Sequence, residues 1–188
     1  MLRSLPVILL LAFSASANAE DFSYNYVFLG YGNTDLDGVS VDGDGFSLGG
    51  SYAFTDSIHG FANYEAADLD FGVDITRYNF GIGYNTSVSD AVDMFARLSF
   101  ESLDFDVPGF GSIDDTGYGL SVGGRFAASS KLELNAAVNY VDYGDGDDTG
   151  FEVGGLYSFT EAFALGLAAE WSDEFTTYAL SGRFYFGK

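Results

Sequence analysis

The sequence predicts an all-β fold: a transmembrane antiparallel up-and-down β-barrel of about ten strands, with eight as the alternative. Three observations predict it. Apolar and polar residues alternate with period two from Phe22 to Phe186, the signature of strands. Short connectors alternate with longer ones. The apolar face is also graded along each strand, with aromatics at both ends and aliphatic residues between.

The strands are expected at 22–33, 45–54, 58–66, 76–85, 91–103, 117–127, 131–142, 150–159, 163–171 and 176–186. The clearest sets Met94, Ala96, Leu98 and Phe100 against Asp93, Arg97, Ser99 and Glu101. Its predecessor sets Tyr78, Phe80, Ile82 and Tyr84 against Arg77, Asn79, Gly81 and Gly83. The first and third alternate poorly, and Phe95 and Leu156 fall on the otherwise polar face. Short connectors are expected at 55–57, 86–90, 128–130 and 160–162, and longer ones at 34–44, 67–75, 104–116, 143–149 and 172–175. Short turns at one end and long loops at the other, with an even strand number, are the layout of a bacterial outer-membrane barrel.

Composition sets the apolar face outward. A soluble barrel needs well-hydrated charges along its exterior strands, yet Lys131 and Lys188 are the only lysines. The polar face is Gly, Ser, Asn and Ala with a few Arg and Glu, which suits a cramped interior. One aromatic girdle runs through Phe46, Tyr64, Tyr78, Phe100, Tyr118 and Trp171, towards the long loops. Another runs through Tyr52, Phe54, Tyr84, Tyr157, Phe163 and Phe184, with Leu48, Ile82, Leu98, Leu120, Leu134 and Leu180 between them. Membrane interfaces select such paired girdles.

Residues 1–19 read as a signal peptide. Arg3 supplies the positive n-region, Leu5–Phe13 a nine-residue apolar stretch, and Ala17-Asn18-Ala19 the cleavage site, so cleavage is expected after Ala19. Nine apolar residues are too few to span a bilayer as a helix. Residues 20–188 form the barrel domain.

The charge excludes further classes. Seven Lys and Arg stand against 28 Asp and Glu in 188 residues, a formal net charge of −21. That field repels nucleic acid. With no Cys and one His, thiolate metal sites, cysteine nucleophiles and multi-His centres are absent. His59 stands beside the turn at Asp56-Ser57, at the end remote from the long loops, where substrate would not arrive. No catalytic residue and no cofactor is expected.

Interior charge is expected at Arg77, Arg97, Arg125 and Arg183, with Asp93, Glu101, Glu133 and Glu152. These form either a lumen lining that selects or gates, or a satisfied buried network. The network is favoured, because a buried Arg needs a partner. A turn centred on Ser129 would set Arg125 directly opposite Glu133. Inward glycines leave room for a narrow water path, but not for a wide pore.

The loops are acidic. Asp35, Asp37, Asp42 and Asp44 share the first, Asp68, Asp70 and Asp74 the second, and Asp104, Asp106, Asp114 and Asp115 the third. Asp145, Asp147 and Asp148 share the fourth, and Asp173 and Glu174 the last. Asn33-x-Asp35-x-Asp37-Gly38 matches the opening of an EF-hand, but the bidentate Glu and the flanking helices are missing. A weak Ca²⁺ or Mg²⁺ site at Asp35, Asp37, Asp42, Asp44, Asp145, Asp147 and Asp148 stands beside the alternative of a hydrated, repulsive fringe. Divalent ions would bridge carboxylates to each other or to lipopolysaccharide phosphate.

Three segments carry a resemblance: Ser23–Val27 (SYNYV), Val88–Glu101 (VSDAVDMFARLSFE) and Arg183–Phe186 (RFYF). They resemble the small outer-membrane barrels grouped as sulfation-dependent quorum factors, within the wider OmpA-like and OmpX-like superfamily. The resemblance covers the mature chain through strand patterns rather than catalytic signatures. It implies an outer-membrane location, contact with outer-membrane lipid and lipopolysaccharide, and insertion by the barrel-assembly machinery, which reads the final aromatic stripe. A Gly187-Lys188 extension departs from the usual aromatic ending. The expected role is a non-enzymatic, monomeric barrel displaying acidic loops for envelope integrity or surface interaction. The alternative is a narrow channel for ions or small solutes.

Overall fold

The computed structural model describes residues 22–36, 41–109, 111–144, 146–173 and 175–187. Residues 1–19, where a signal peptide is expected, and Asp37, Asp145, Glu174 and Lys188 lie outside the described residues.

Ten antiparallel strands close into one barrel, each paired with its neighbours in sequence, with the last paired to the first. They are β1 (Tyr26–Leu36), β2 (Asp42–Ala53), β3 (Ile58–Leu69), β4 (Val73–Ser89) and β5 (Val92–Val107). β6 (Gly111–Ala127), β7 (Leu132–Asp142), β8 (Asp147–Ser158), β9 (Phe163–Trp171) and β10 (Phe175–Tyr185) complete it. Closure leaves no strand edge, so every strand pairs on both sides, as a bilayer requires.

Three of the short turns share one device. Thr55 Oγ1 accepts from the Ile58 N–H at 3.0 Å, Ser129 Oγ from Leu132 at 3.1 Å, and Thr160 Oγ1 from Phe163 at 3.1 Å. Each hydroxyl satisfies backbone donors that the turn leaves free.

Leu29, Leu48, Ile82, Leu98, Leu120, Val138, Leu167 and Leu180 point outward into a continuous apolar belt. Above it the girdle is a chain of ring contacts: Phe46–Tyr64, Tyr78–Phe100, Phe151–Trp171 and Trp171–Tyr178, with centroids 6.0–6.4 Å apart. Below it run Tyr52–Phe54, Tyr157–Phe159 and Phe159–Phe163.

Two expectations are corrected. The segment expected to open the first strand does not do so: β1 starts at Tyr26, and residues 22–25 precede it. The long loops are also mostly strand. β5 runs on to Val107 and β6 starts at Gly111, while between β3 and β4 only a 3-10 turn at Asp70–Gly72 intervenes. The physical reason is an inversion of polarity at the girdle. On β5 the outward residues are Met94, Ala96, Leu98 and Phe100 up to that height, then Asp104 and Asp106 above it. Leu103, Phe105 and Val107 take the inward positions there. β4 does the same, with Asp74 outward and Val73 and Ile75 inward. Below the girdle the strands meet lipid; above it they meet water, and the apolar side turns in.

Candidate functional site: a floored lumen and an acidic collar

Side chains pack the lumen at the short-turn end. Tyr24, Tyr26, Leu156, Ala164 and Tyr185 are buried there. Residues 22–25 lead into this floor: Asn25 Oδ1 accepts from Ala53 N–H at 2.8 Å, and Tyr24 OH donates to Asp93 Oδ2 at 2.6 Å. Asp93, 1% exposed, also accepts from Ser87 Oγ at 3.0 Å. Sequence reasoning missed Tyr24 as a lumen residue, because it lay at the start of an expected strand, 22–33, whose alternation is too poor to assign a face.

His59 is completely buried in this floor and stacks on Tyr24 at 4.2 Å. Its Nδ1 pairs with Asn85 Oδ1 at 3.1 Å, and Arg97 Nε donates to its Nε2 at 3.3 Å. Since Nε2 accepts, Nδ1 carries the proton, and the ring is neutral. His59 lies directly opposite Gly83, and its ring occupies the space a side chain there would need. Gly123 gives the same room to Phe95.

Arg125 and Glu133 form a two-pronged ion pair, Nε–Oε1 and NH2–Oε2 both at 2.8 Å. They are not directly opposite, however. The register sets Ala127 against Glu133 and Arg125 against Asn135, so the pair is diagonal. A long Arg side chain spans that offset readily. Arg125 also lies over Tyr24 at 4.8 Å and donates to Ser23 O at 3.2 Å.

Higher up, the lumen opens into a cavity of about 570 Å³ whose lining includes all four of Arg77, Arg97, Arg125 and Arg183. Glu101, Glu133 and Glu152 line it as well, and so do Glu65 and Glu170, which the sequence reading left out of the interior set. Arg77 pairs with Glu65 directly across β3–β4, at 3.8 Å. Glu152 and Glu170 face each other directly across β8–β9, with Glu152 accepting from Asn135 Nδ2 at 3.0 Å. Ser99 donates to Glu101. The missed pair had a signal: Glu65 and Glu170 share strand parity with Asn63 and Gly166 on the polar face.

Outside and above the girdle stands an acidic collar. Asp44, Asp68, Asp74 and Asp106 are successive cross-strand partners on β2, β3, β4 and β5. Asp104 opposes Asp114, Asp35 opposes Asp42, and Asp142 opposes Asp147. Tyr31 OH donates to Asp44 at 2.6 Å. A hydrogen bond between Asp104 and Asp114 holds the Asp104 carboxyl above the ordinary range. Desolvation beside the neighbouring strands, then the neighbouring Asp68, do the same to Asp74.

Of the seven candidate metal ligands, the five that lie among the described residues do not gather at one point. Asp35, Asp42 and Asp44 sit on β1–β2, Asp147 and Asp148 on β8, and Asp37 and Asp145 lie outside the described residues. Asp147 is exposed and Asp148 half-buried, and both border the lumen cavity. Among the described residues no three His, Asp or Glu converge as a metal site. Strand pairing holds these carboxylates in rows rather than wrapping them around a point.

A closed barrel with an apolar belt, two girdles and a polar lumen defines an integral outer-membrane protein. The chain matches the family described as "Outer membrane protein beta-barrel domain" over residues 5–181, and it belongs to that family. Among solved structures it is similar to the NanC porin, at 9% identity and a TM-score of 0.50, covering 86% of this chain and 100% of that one. Neisserial surface protein A gives 15% and 0.48, covering 87% and 98%. Ail, the attachment invasion locus protein of Yersinia pestis, gives 16% and 0.45, covering 87% and 100%. At such identities the likeness concerns the fold alone. No curated protein matches.

Proposed function

We propose that this barrel is a non-enzymatic envelope protein whose acidic collar engages lipopolysaccharide through Ca²⁺ or Mg²⁺. The observation that carries the reading is the outward row Asp44, Asp68, Asp74 and Asp106, on four adjoining strands just above the girdle. Like charges directly opposite destabilise a sheet. The outer leaflet at that height is rich in phosphate, so divalent cations with their preference for oxygen ligands would relieve both repulsions. Because the carboxylates stand in rows, the lipid phosphates would complete each cation's shell. His59, engaged with Asn85 and Arg97 in the floor, supports a role without catalysis.

The reading takes residues 1–19 as a cleaved leader and the Tyr178, Leu180, Phe184 stripe as the segment read during assembly, with the barrel working as a monomer. The resemblance to quorum-factor barrels lies in strand pattern and adds no signalling residue to it.

Calcium titration of the refolded barrel in lipopolysaccharide and in phosphatidylcholine bilayers tests the proposal. Calcium should raise the unfolding midpoint in lipopolysaccharide only, and Asp68→Asn/Asp74→Asn should abolish the rise. An equal response to monovalent salt at matched ionic strength would reduce the effect to screening.

One observation favours a second reading, a narrow channel: the polar cavity of about 570 Å³. The packed floor beneath it weighs against conduction in the state described. Planar-bilayer conductance separates the two readings.

A further inference from the structure

Among the described residues, two guanidinium groups in the cavity form no ion pair with a carboxylate. Arg183 lies over the Tyr26 ring at 4.1 Å, and its Nε is buried without a hydrogen-bond partner. Arg97 reaches the hydroxyl of the same tyrosine, NH2 to OH at 3.5 Å, and lies over Phe95 at 4.7 Å and Phe61 at 5.1 Å. Among the described residues neither arginine forms an ion pair, although the lumen also holds Arg125 bidentate with Glu133 and Arg77 beside Glu65.

Two cations on one tyrosine repel each other. Each keeps planar N–H donors suited to a carboxylate, which an Arg grips in two-pronged fashion. Tyr26, Phe61 and Phe95 supply aromatic faces beside them, and the cavity falls within the roughly 300–1,000 Å³ range of small-ligand sites. Higher in the cavity stand Glu65, Glu101, Glu152 and Glu170, with Arg77 as their cation. That acidic tier disfavours ligands with several negative charges.

We propose that Arg97 and Arg183 form a binding site for a small monocarboxylate with an aromatic or other flat apolar body. The carboxylate is held between the two guanidinium groups, and the body lies against Phe61, Phe95 and Tyr26. The site is independent of the collar: it lies inside the barrel and below the girdle.

Benzoate is the probe, with benzamide as its neutral isostere. Arginine Nε–H resonances of the barrel in detergent should shift saturably with benzoate at Arg97 and Arg183. Benzamide and sodium chloride at matched ionic strength should leave them in place. Arg183→Gln should weaken benzoate binding at least tenfold while the barrel keeps its heat-dependent gel mobility. If that variant fails to fold, the titration of the unaltered protein decides alone. A response that does not saturate, is reproduced by chloride or benzamide, or survives Arg183→Gln in an intact barrel overturns the proposal.

Discussion

Arg125 and Glu133 meet across the β6–β7 hairpin with two parallel hydrogen bonds of 2.8 Å, although each is directly opposite a different residue. Arg125 is 5% exposed, so removing Glu133 strands a charge. Glu133→Ala should cost on the order of 3–5 kcal/mol, the usual loss when one partner of a buried pair is removed. Adding Arg125→Ala should recover part of it. Reversible unfolding in lipid vesicles, arranged as a double-mutant cycle, measures the coupling; additive losses would deny it.

The inside–outside assignment predicts an asymmetry between neighbouring positions. Leu120 points into the belt, half exposed. Leu120→Arg should therefore cost about 2–4 kcal/mol near the bilayer midplane. Ser121, its lumen neighbour, is directly opposite Arg97 and would suffer repulsion as an Arg. Ser99, which donates to Glu101, is the better comparator. Ser99→Arg should cost less than Leu120→Arg in the same vesicle assay.

The floor predicts a closed pore that can be opened. Tyr24 and His59 stack at 4.2 Å, and Tyr24 is tied to Asp93. Tyr24→Ala/His59→Ala removes both rings from the floor. Single-channel recording should show steps in the double variant and none in the unaltered barrel. Equal conductance in the two would mean that the floor does not close the path.

The collar predicts a pH dependence opposite to that of salt-bridged carboxylates. Asp104 and Asp74 hold their protons above the ordinary aspartate range, Asp104 chiefly through its hydrogen bond with Asp114 and Asp74 chiefly through desolvation beside the neighbouring strands. The unfolded chain releases those protons earlier, near pH ~3.9. Between the two ranges the folded state binds more protons, so stability falls as pH rises through the raised values and is regained on acidification. Hydrogen exchange at the β5–β6 tip should slow as pH falls through that window, after correction for intrinsic exchange. Asp114→Asn should flatten the response.

Much of the molecule was legible in the alternation. Strand number, apolar direction and girdles follow from local residue type, because a lipid-facing side chain meets the same solvent whatever its neighbours. The interior position of Arg77, Arg97, Arg125 and Arg183 followed from parity alone. What parity does not carry is which interior residues touch. Arg125 reaches Glu133 diagonally, Arg97 and Arg183 share Tyr26, and Glu152 confronts Glu170, since those contacts depend on register, closure and side-chain reach.

The strand tips above the upper girdle show the other boundary between sequence and fold. Asp104, Phe105, Asp106 and Val107 alternate as regularly as the strand below them, but their apolar parity is reversed, and that made them resemble a loop. Sequence by itself determined an up-and-down barrel of about ten strands with lipid outside and charge within, because period and composition are local and the two solvents are uniform. Only the tertiary structure decided that β1 opens at Tyr26, that the aspartates stand in rows and that two arginines share a tyrosine. Those are relations between strands, set by closure of the barrel around a lumen too narrow for its side chains to avoid one another.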